Sequence, residues 1–176
     1  MVKFLLKDSA PIFFDKRLLT ARCEYFQEMF AQTTWREALT SEIDMRSDSD
    51  ADSRSMSALC IFLMSDVFDA QGDEQLAMSV RRLADRYRLP SLVDKAEGEL
   101  GNLLCADNAL SMLGQVTGSG GRLERACLEL ITENNCDLLE QQQEKLDTIA
   151  DANPELVKQL FRILLDARGK KRRTTE

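Results

Sequence analysis

From about residue 73 to the end, the apolar residues recur at helical spacing, and this pattern constrains the fold more than any other feature of the sequence. In the segment DEQLAMSVRRLADRYRL, five apolar residues form one stripe, and consecutive members lie one, three or four positions apart: Leu76, Val80, Leu83, Ala84 and Tyr87. Such spacing is typical of an amphipathic helix. Because strand-like segments occur only before residue 47, the predicted fold class is α+β and mostly helical, with a small β element followed by a helix cluster.

The later helices have recognisable starts. Segments with helical periodicity cover residues 107–117, 122–135 and 154–166, whereas the pattern over 136–150 is weaker. Pro90 suits the first turn of the helix that follows residue 89, where its missing amide donor is not needed. Asn153 and Pro154 predict the cap and first residue of the last helix, whose apolar stripe needs a surface to pack against.

Two short strand-like runs open the chain. VKFLL and APIFF are rich in β-branched and aromatic residues and flank the polar segment KDS, which predicts a hairpin. The following segment, KRLLTARCEYFQEMFA, has apolar residues at spacings of three and four and is predicted to form a helical segment with one buried face.

A third strand-like run comes before a capped helix. SEIDMR alternates apolar and polar residues, which predicts a half-buried strand with Ile43 and Met45 on its buried face. The acidic segment after it reads as a loop, in which Asp52 or Ser53 accepts the free amides of a helix over 53–65. This helix carries the longest apolar run of the chain, ALCIFLM.

Charge and hydropathy limit the partners. The formal net charge of −7 repels nucleic-acid phosphates and anionic lipid. The run ALCIFLM is far shorter than the ~20 residues that span a membrane, and the N-terminal apolar segment is too short for a signal peptide. We therefore expect a soluble protein of the cytoplasm or nucleus, with no membrane or nucleic-acid partner.

The five cysteines are predicted to be reduced thiols of the core: Cys23, Cys60, Cys105, Cys127 and Cys136. Their odd number and wide spacing argue against a disulfide framework. The chain has no histidine and no C-x-x-C pair, so no metal site is predicted. Without histidine, a hydrolase triad also lacks its commonest general base, and we expect neither an enzyme nor a cofactor.

Two motifs resemble ligand loops without completing them. TGSGGR lacks the lysine of a phosphate loop and follows a helix instead of a strand, so it is read as a connection between helices. Asp48, Asp50 and Asp52 begin like a calcium loop, but Ser53 and Leu59 stand where glycine and glutamate are required.

Glu97 and Glu99 lie on opposite sides of a predicted helix, and both are read as solvated charges.

The basic end of the chain has two interpretations. Four cations follow a glycine: Lys170, Lys171, Arg172 and Arg173. They form either a soluble tail with favourable charge at a helix C-terminus, or a nuclear import signal or nucleic-acid contact.

Several segments together resemble the BTB/POZ domain in order and spacing. LLTARCEYFQEMF is similar to a helix pair of that family, and LADRYRLPSLVDKAE is similar to a later helical segment. The resemblance implies a BTB/POZ fold over 1–105, in which a small three-stranded sheet packs on a helix cluster. Residues 106–168 resemble the BACK-like helical extension of speckle-type POZ and ankyrin-BTB proteins, and 169–176 are expected to be a disordered basic tail.

This resemblance also implies a function and a site. BTB proteins that recruit cullin-3 carry a hydrophobic residue, any residue and glutamate after the first helix pair, and Trp35, Arg36 and Glu37 stand at that place. Met64 and Phe68 correspond to further residues of that face. The implied protein is an adaptor that binds the cullin-3 N-terminal domain and an unknown protein substrate.

Two alternatives remain open from the sequence. Trp35 either faces a partner or folds back to close the core beneath the acidic loop. The protein is either a cullin-3 adaptor or a self-associating BTB scaffold, in the nucleus for example. Asp15 replaces the histidine of the family pattern, and the sequence begins at the first sheet strand, so any homodimer is expected to use a non-standard interface.

Overall fold

The computed structural model describes residues 1–32, 34–133, 139, 142–154, 156–158 and 160–162. The chain forms two compact units, which divide between Leu100 and Gly101. No described helix is long and apolar enough to cross a membrane.

A three-stranded sheet of order β2-β1-β3 lies in the first unit. Its strands are β1 (Val2–Leu5), β2 (Ile12–Phe14) and β3 (Glu42–Asp44). The first two strands pair antiparallel with Val2 opposite Phe14, so the predicted hairpin is confirmed. The third strand runs parallel to β1 with Phe4 opposite Ile43, and a parallel neighbour requires a crossover connection.

Three helices form this crossover: α1 (Lys16–Arg22), α2 (Glu24–Ala31) and α3 (Arg36–Thr40). The helical segment predicted after the hairpin is therefore two helices, separated at Cys23, whose backbone is extended with φ −138° and ψ 110°. Asp15 caps α1 by accepting hydrogen bonds from the amides of Arg17 and Leu18 at 2.8 and 3.1 Å. An acidic residue therefore has a local structural role at this position.

The helix predicted over 53–65 is present as α4 (Ser53–Ser65). Asp52 caps it in a reciprocal arrangement, since its carboxylate accepts from the Ser55 amide at 2.7 Å while the Ser55 hydroxyl accepts from the Asp52 amide at 3.1 Å. Helix α5 (Glu74–Arg86) and helix α6 (Pro90–Leu103) follow, and α6 begins at the predicted proline.

The core of the first unit contains an aromatic cluster around Phe26. Its side chain is fully buried and packs edge-on against Phe4 and Tyr25, with ring centroids 6.0 and 5.4 Å apart. The Tyr87 ring lies 4.8 Å away. Desolvation raises the pKa of Tyr87 to about 12. Strands, the α1–α2 pair and α5 thus contribute to one core.

Glu97 is not a solvated charge, and that interpretation was wrong. The Glu97 carboxylate accepts a hydrogen bond from Arg81 Nε at 3.0 Å, and the two side chains are only 3% and 7% exposed. A buried carboxylate needs a partner of opposite charge. Arg81 on α5 and Glu97 on α6 therefore link these two helices.

The acidic segment between β3 and α4 is held by arginines of α5. Arg82 Nη2 lies 2.7 Å from the Asp50 carboxylate. Arg86 pairs with both Asp48 and Asp50. The carboxylates that resemble a calcium loop thus have protein partners, and no group of potential metal ligands occurs among the residues that the structure describes.

The described helices of the second unit include α7 (Ala109–Val116), α8 (Arg122–Glu133) and α9 (Gln143–Ala152). The weak pattern over 136–150 thus contains most of a helix. The Asn153 side chain accepts a hydrogen bond from the Leu156 amide at 3.2 Å, as its predicted capping role requires. Leu164, Leu165 and the basic cluster from Lys170 to Arg173 lie outside the described residues.

Four cysteines are described, and no disulfide joins any two of them. Cys23, Cys60 and Cys127 are buried as predicted, and burial raises the pKa of Cys60 to about 12. Cys105 is exposed, so its assignment to the core was wrong. It lies in the turn before α7, where its amide donates to the Asn108 side chain. Cys136 lies outside the described residues.

The glycine-rich segment connects α7 to α8, and its amides are already bonded within the protein. Glu124 is 5% exposed, and its carboxylate accepts from the amides of Gly118 and Gly120 at 3.0 and 2.7 Å. Both glycines have positive φ, 82° and 64°, a backbone conformation found where several amides of one turn point toward an anion. The anion here is the protein's own carboxylate.

Replacing Glu124 with alanine is expected to lower the free energy of unfolding by about 2 kcal/mol, because the two amides lose a charged acceptor. Urea denaturation followed by circular dichroism measures the change. Glu129→Ala is the matched control, since Glu129 is an exposed residue of the same helix. Equal effects of the two substitutions would contradict the structural role of Glu124.

Candidate protein-interaction surface

Trp35 lies at the surface, immediately before α3. It is the N-cap residue of this helix, with extended backbone angles of φ −81° and ψ 138°. Its amide donates to the Gln32 carbonyl at 3.1 Å, and its carbonyl accepts from the Leu39 amide at 3.3 Å. The side chain is 42% exposed. The backbone is therefore fixed while part of the indole remains accessible to another molecule.

Leu39, which was not among the residues predicted from the sequence, extends this apolar surface. It is 74% exposed and lies four positions after Trp35, about one helical turn away. Residues at this spacing are neighbours on a helix surface. The spacing of Trp35 and Leu39 would have indicated the pair, had the segment been recognised as a helix.

Glu37 lies between the two apolar residues in sequence and is half-buried. No hydrogen bond or ion pair joins its carboxylate to another described residue. Its carbonyl accepts from the Ser41 amide at 2.8 Å, and Ser41 ends the helix in the left-handed conformation with φ 55°. The helix ends therefore fix the backbone on both sides of a carboxylate that can accept hydrogen bonds from a partner.

Arg36 contributes positive charge near the edge strand β3. Glu42 has a lowered pKa, mainly because it accepts a hydrogen bond from Lys3, and the charge of Arg36 contributes. The pKa of Asp44 is lowered to about 2, chiefly by a hydrogen bond from Arg46 and in smaller part by Arg36. Charges of both signs therefore lie around α3.

Met64 and Phe68 flank the C-terminal end of α4. Met64 is 60% exposed on the last turn, whereas Phe68 is partly buried and packs against the core. Ile61 and Val67, which were not predicted as site residues, are also more than half exposed, at 51% and 59%. Asp66 between them ends the helix at φ 58° and pairs with Arg22 of α1.

The surface residues at and around the predicted site thus fall into two groups. The first, named here the α3 surface, consists of Trp35, Glu37 and Leu39; the second, the α4 surface, consists of Ile61, Met64 and Val67. Within the described ranges, no hydrogen bond or ion pair joins these two groups. Both belong to the first unit, and both expose apolar side chains on helices whose ends are fixed by backbone hydrogen bonds.

Exposed apolar side chains on a rigid scaffold are typical of a protein-interaction domain. A comparison with protein families supports this class, because the family model of the BTB/POZ domain matches residues 2–103. The chain belongs to the BTB/POZ domain family, whose members are generally interaction domains without enzymatic activity. No curated protein matches the sequence.

Proposed function

We propose that this protein is an adaptor that binds the N-terminal domain of cullin-3 and brings a protein substrate to the ubiquitin ligase. The observation that carries the proposal is the exposure of Trp35 next to Glu37, at the place where cullin-binding BTB proteins have their hydrophobic residue and glutamate. The carboxylate of Glu37 has no partner in the described part of the chain and is free to accept hydrogen bonds.

The physical basis is the chemistry of these two side chains. Tryptophan offers a large apolar area and loses little side-chain entropy on binding, which makes it a favoured hot-spot residue. The backbone hydrogen bonds of Trp35 hold it in place before a partner arrives, so less ordering is required on association. Glu37 adds directional acceptors that discriminate between partners.

The mechanism is proximity, which requires no catalytic group from the adaptor. One surface binds the cullin while another part of the assembly holds the substrate, so the substrate concentration near the ubiquitin-charged enzyme rises. Residues 106–168 resemble the BACK-like extension of speckle-type POZ and ankyrin-BTB proteins, and we propose this role for the second unit. Met64 contributes to the same cullin contact from the α4 surface.

Trp35→Ala is expected to weaken binding to the cullin-3 N-terminal domain at least thirtyfold, which corresponds to about 2 kcal/mol for a hot-spot residue. Isothermal titration calorimetry measures binding of the full chain and of Trp35→Ala and Glu37→Ala. Phe13→Ala is the matched control, since Phe13 is an aromatic residue on β2 that is 58% exposed. Circular dichroism verifies that each variant is folded.

Self-association is the second candidate function, and the exposure of Met1 and Phe13 favours it. These residues are 70% and 58% exposed and lie outside the α3 and α4 surfaces. The scaffold function would be favoured over the adaptor function by two results together: no binding of the full chain to the cullin domain, and a molar mass of the full chain, measured by light scattering, that rises with its concentration. Loss of that mass increase in Phe13→Ala would place the contact on the sheet.

A further inference from the structure

Ser49 is an accessible hydroxyl in the loop between β3 and α4. It is exposed and occupies the turn from Asp48 to Ala51, which is closed by a hydrogen bond from the Ala51 amide to the Asp48 carbonyl at 3.4 Å. Its hydroxyl makes no hydrogen bond to any residue that the structure describes. The serine oxygen is therefore available to react with an external reagent.

The two residues that flank Ser49 in sequence both pair with one arginine. Arg86 of α5 pairs with Asp48, which precedes Ser49, and its Nη2 lies 3.4 Å from the Asp50 carboxylate, which follows. The Arg86 side chain is still 43% exposed. A guanidinium with accessible N–H groups can bind a phosphate with two parallel hydrogen bonds.

The sequence around Ser49 has the charge pattern of substrates of acid-directed kinases, which bind carboxylates after the serine by charge complementarity. Ser47 has the same pattern, but its third following residue is Asp50, which is 8% exposed and bound to Arg82. The third residue after Ser49 is Asp52, which is exposed. The structure therefore favours Ser49 over Ser47.

We propose that Ser49 is a phosphorylation site for an acid-directed protein serine kinase. The Ser49 oxygen attacks the γ-phosphorus of ATP and forms a new O–P bond. The bond from that phosphorus to the β-phosphate oxygen breaks, ADP leaves, and the hydroxyl proton passes to the kinase's base.

Phosphorylation changes the ion pairs of this loop. The phosphate adds a charge of about −1.5 to −2 between two carboxylates that already share Arg86. It competes with Asp48 for the Arg86 guanidinium, because a phosphate offers more acceptor oxygens and more charge than a carboxylate. The loop that leads from β3 into α4 is then held to α5 by a different contact.

The test is incubation of the folded full chain with a recombinant acid-directed serine kinase and magnesium ATP. Tryptic digestion releases the peptide SDSDADSR, which contains Ser47, Ser49 and Ser53, and fragmentation locates the phosphate. We expect Ser49→Ala to reduce incorporation at least tenfold and Ser47→Ala to change it less than twofold. Asp52→Asn keeps a capping acceptor but removes the charge, and it is expected to reduce incorporation severalfold.

A second measurement tests the role of Arg86. Hydrogen exchange of residues 46–52 is compared before and after phosphorylation, in the parent chain and in Arg86→Gln. A phosphate-dependent change in the parent that is lost in Arg86→Gln supports the proposal. Incorporation mainly at Ser47 or Ser53, or incorporation only after thermal unfolding, would overturn it.

Discussion

Glu97→Ala is expected to lower the free energy of unfolding by about 3–5 kcal/mol, because it leaves the Arg81 guanidinium buried without its carboxylate. The pair joins α5 to α6, and both side chains are at least nine-tenths buried. Water cannot readily replace the lost partner at such a site. Urea denaturation followed by circular dichroism measures the loss.

Two variants separate charge burial from other causes. Glu99→Ala, on the same helix, removes a half-buried carboxylate for which the described structure shows no ion pair, and it is expected to change stability by less than about 0.5 kcal/mol. The double replacement Arg81→Met with Glu97→Leu removes both charges and is expected to recover much of the loss. A double variant as unstable as Glu97→Ala would contradict this explanation.

Phe26→Ala is expected to cost about 3–5 kcal/mol, since it leaves a cavity among the rings of Phe4, Tyr25 and Tyr87. Phe26 is fully buried, and its neighbours come from a strand, its own helix and the end of α5. Thermal and urea unfolding measure the effect.

Phe13→Ala is the control for this cavity. It removes the same side chain from a position that is 58% exposed, and it is expected to change stability by less than about 1 kcal/mol. A similar cost for both replacements would show that packing around Phe26 does not dominate the stability of the first unit.

Elements set by nearby residues were predictable from the sequence. The bounds of α4 agree with the prediction because the Asp52 cap lies within three residues of the amides that it satisfies. The hairpin and the start of α6 at Pro90 likewise depend on neighbouring residues. Each of these signals acts over less than one helical turn or across one short connection.

Features that depend on residues far apart in the chain were not predictable from the sequence. The break between α1 and α2 falls at Cys23, whose thiol donates to the Tyr87 carbonyl at 3.3 Å from far along the chain. Glu97 was read as solvated because its partner, Arg81, lies on another helix. The α3 helix has five residues and no strong periodicity, so Leu39 was not recognised as a surface residue.

The sequence alone determined the fold class and most helix starts, because periodicity and caps are local properties. The residues proposed for the site from the resemblance to the BTB/POZ family were Trp35, Arg36, Glu37, Met64 and Phe68. The tertiary structure decided which side chains are buried. It exposes Trp35 and Leu39, buries Glu97 against Arg81, and pairs Arg86 with Asp48, the residue before Ser49. Burial depends on residues that approach through the fold, and their positions cannot be read from the spacing of one segment.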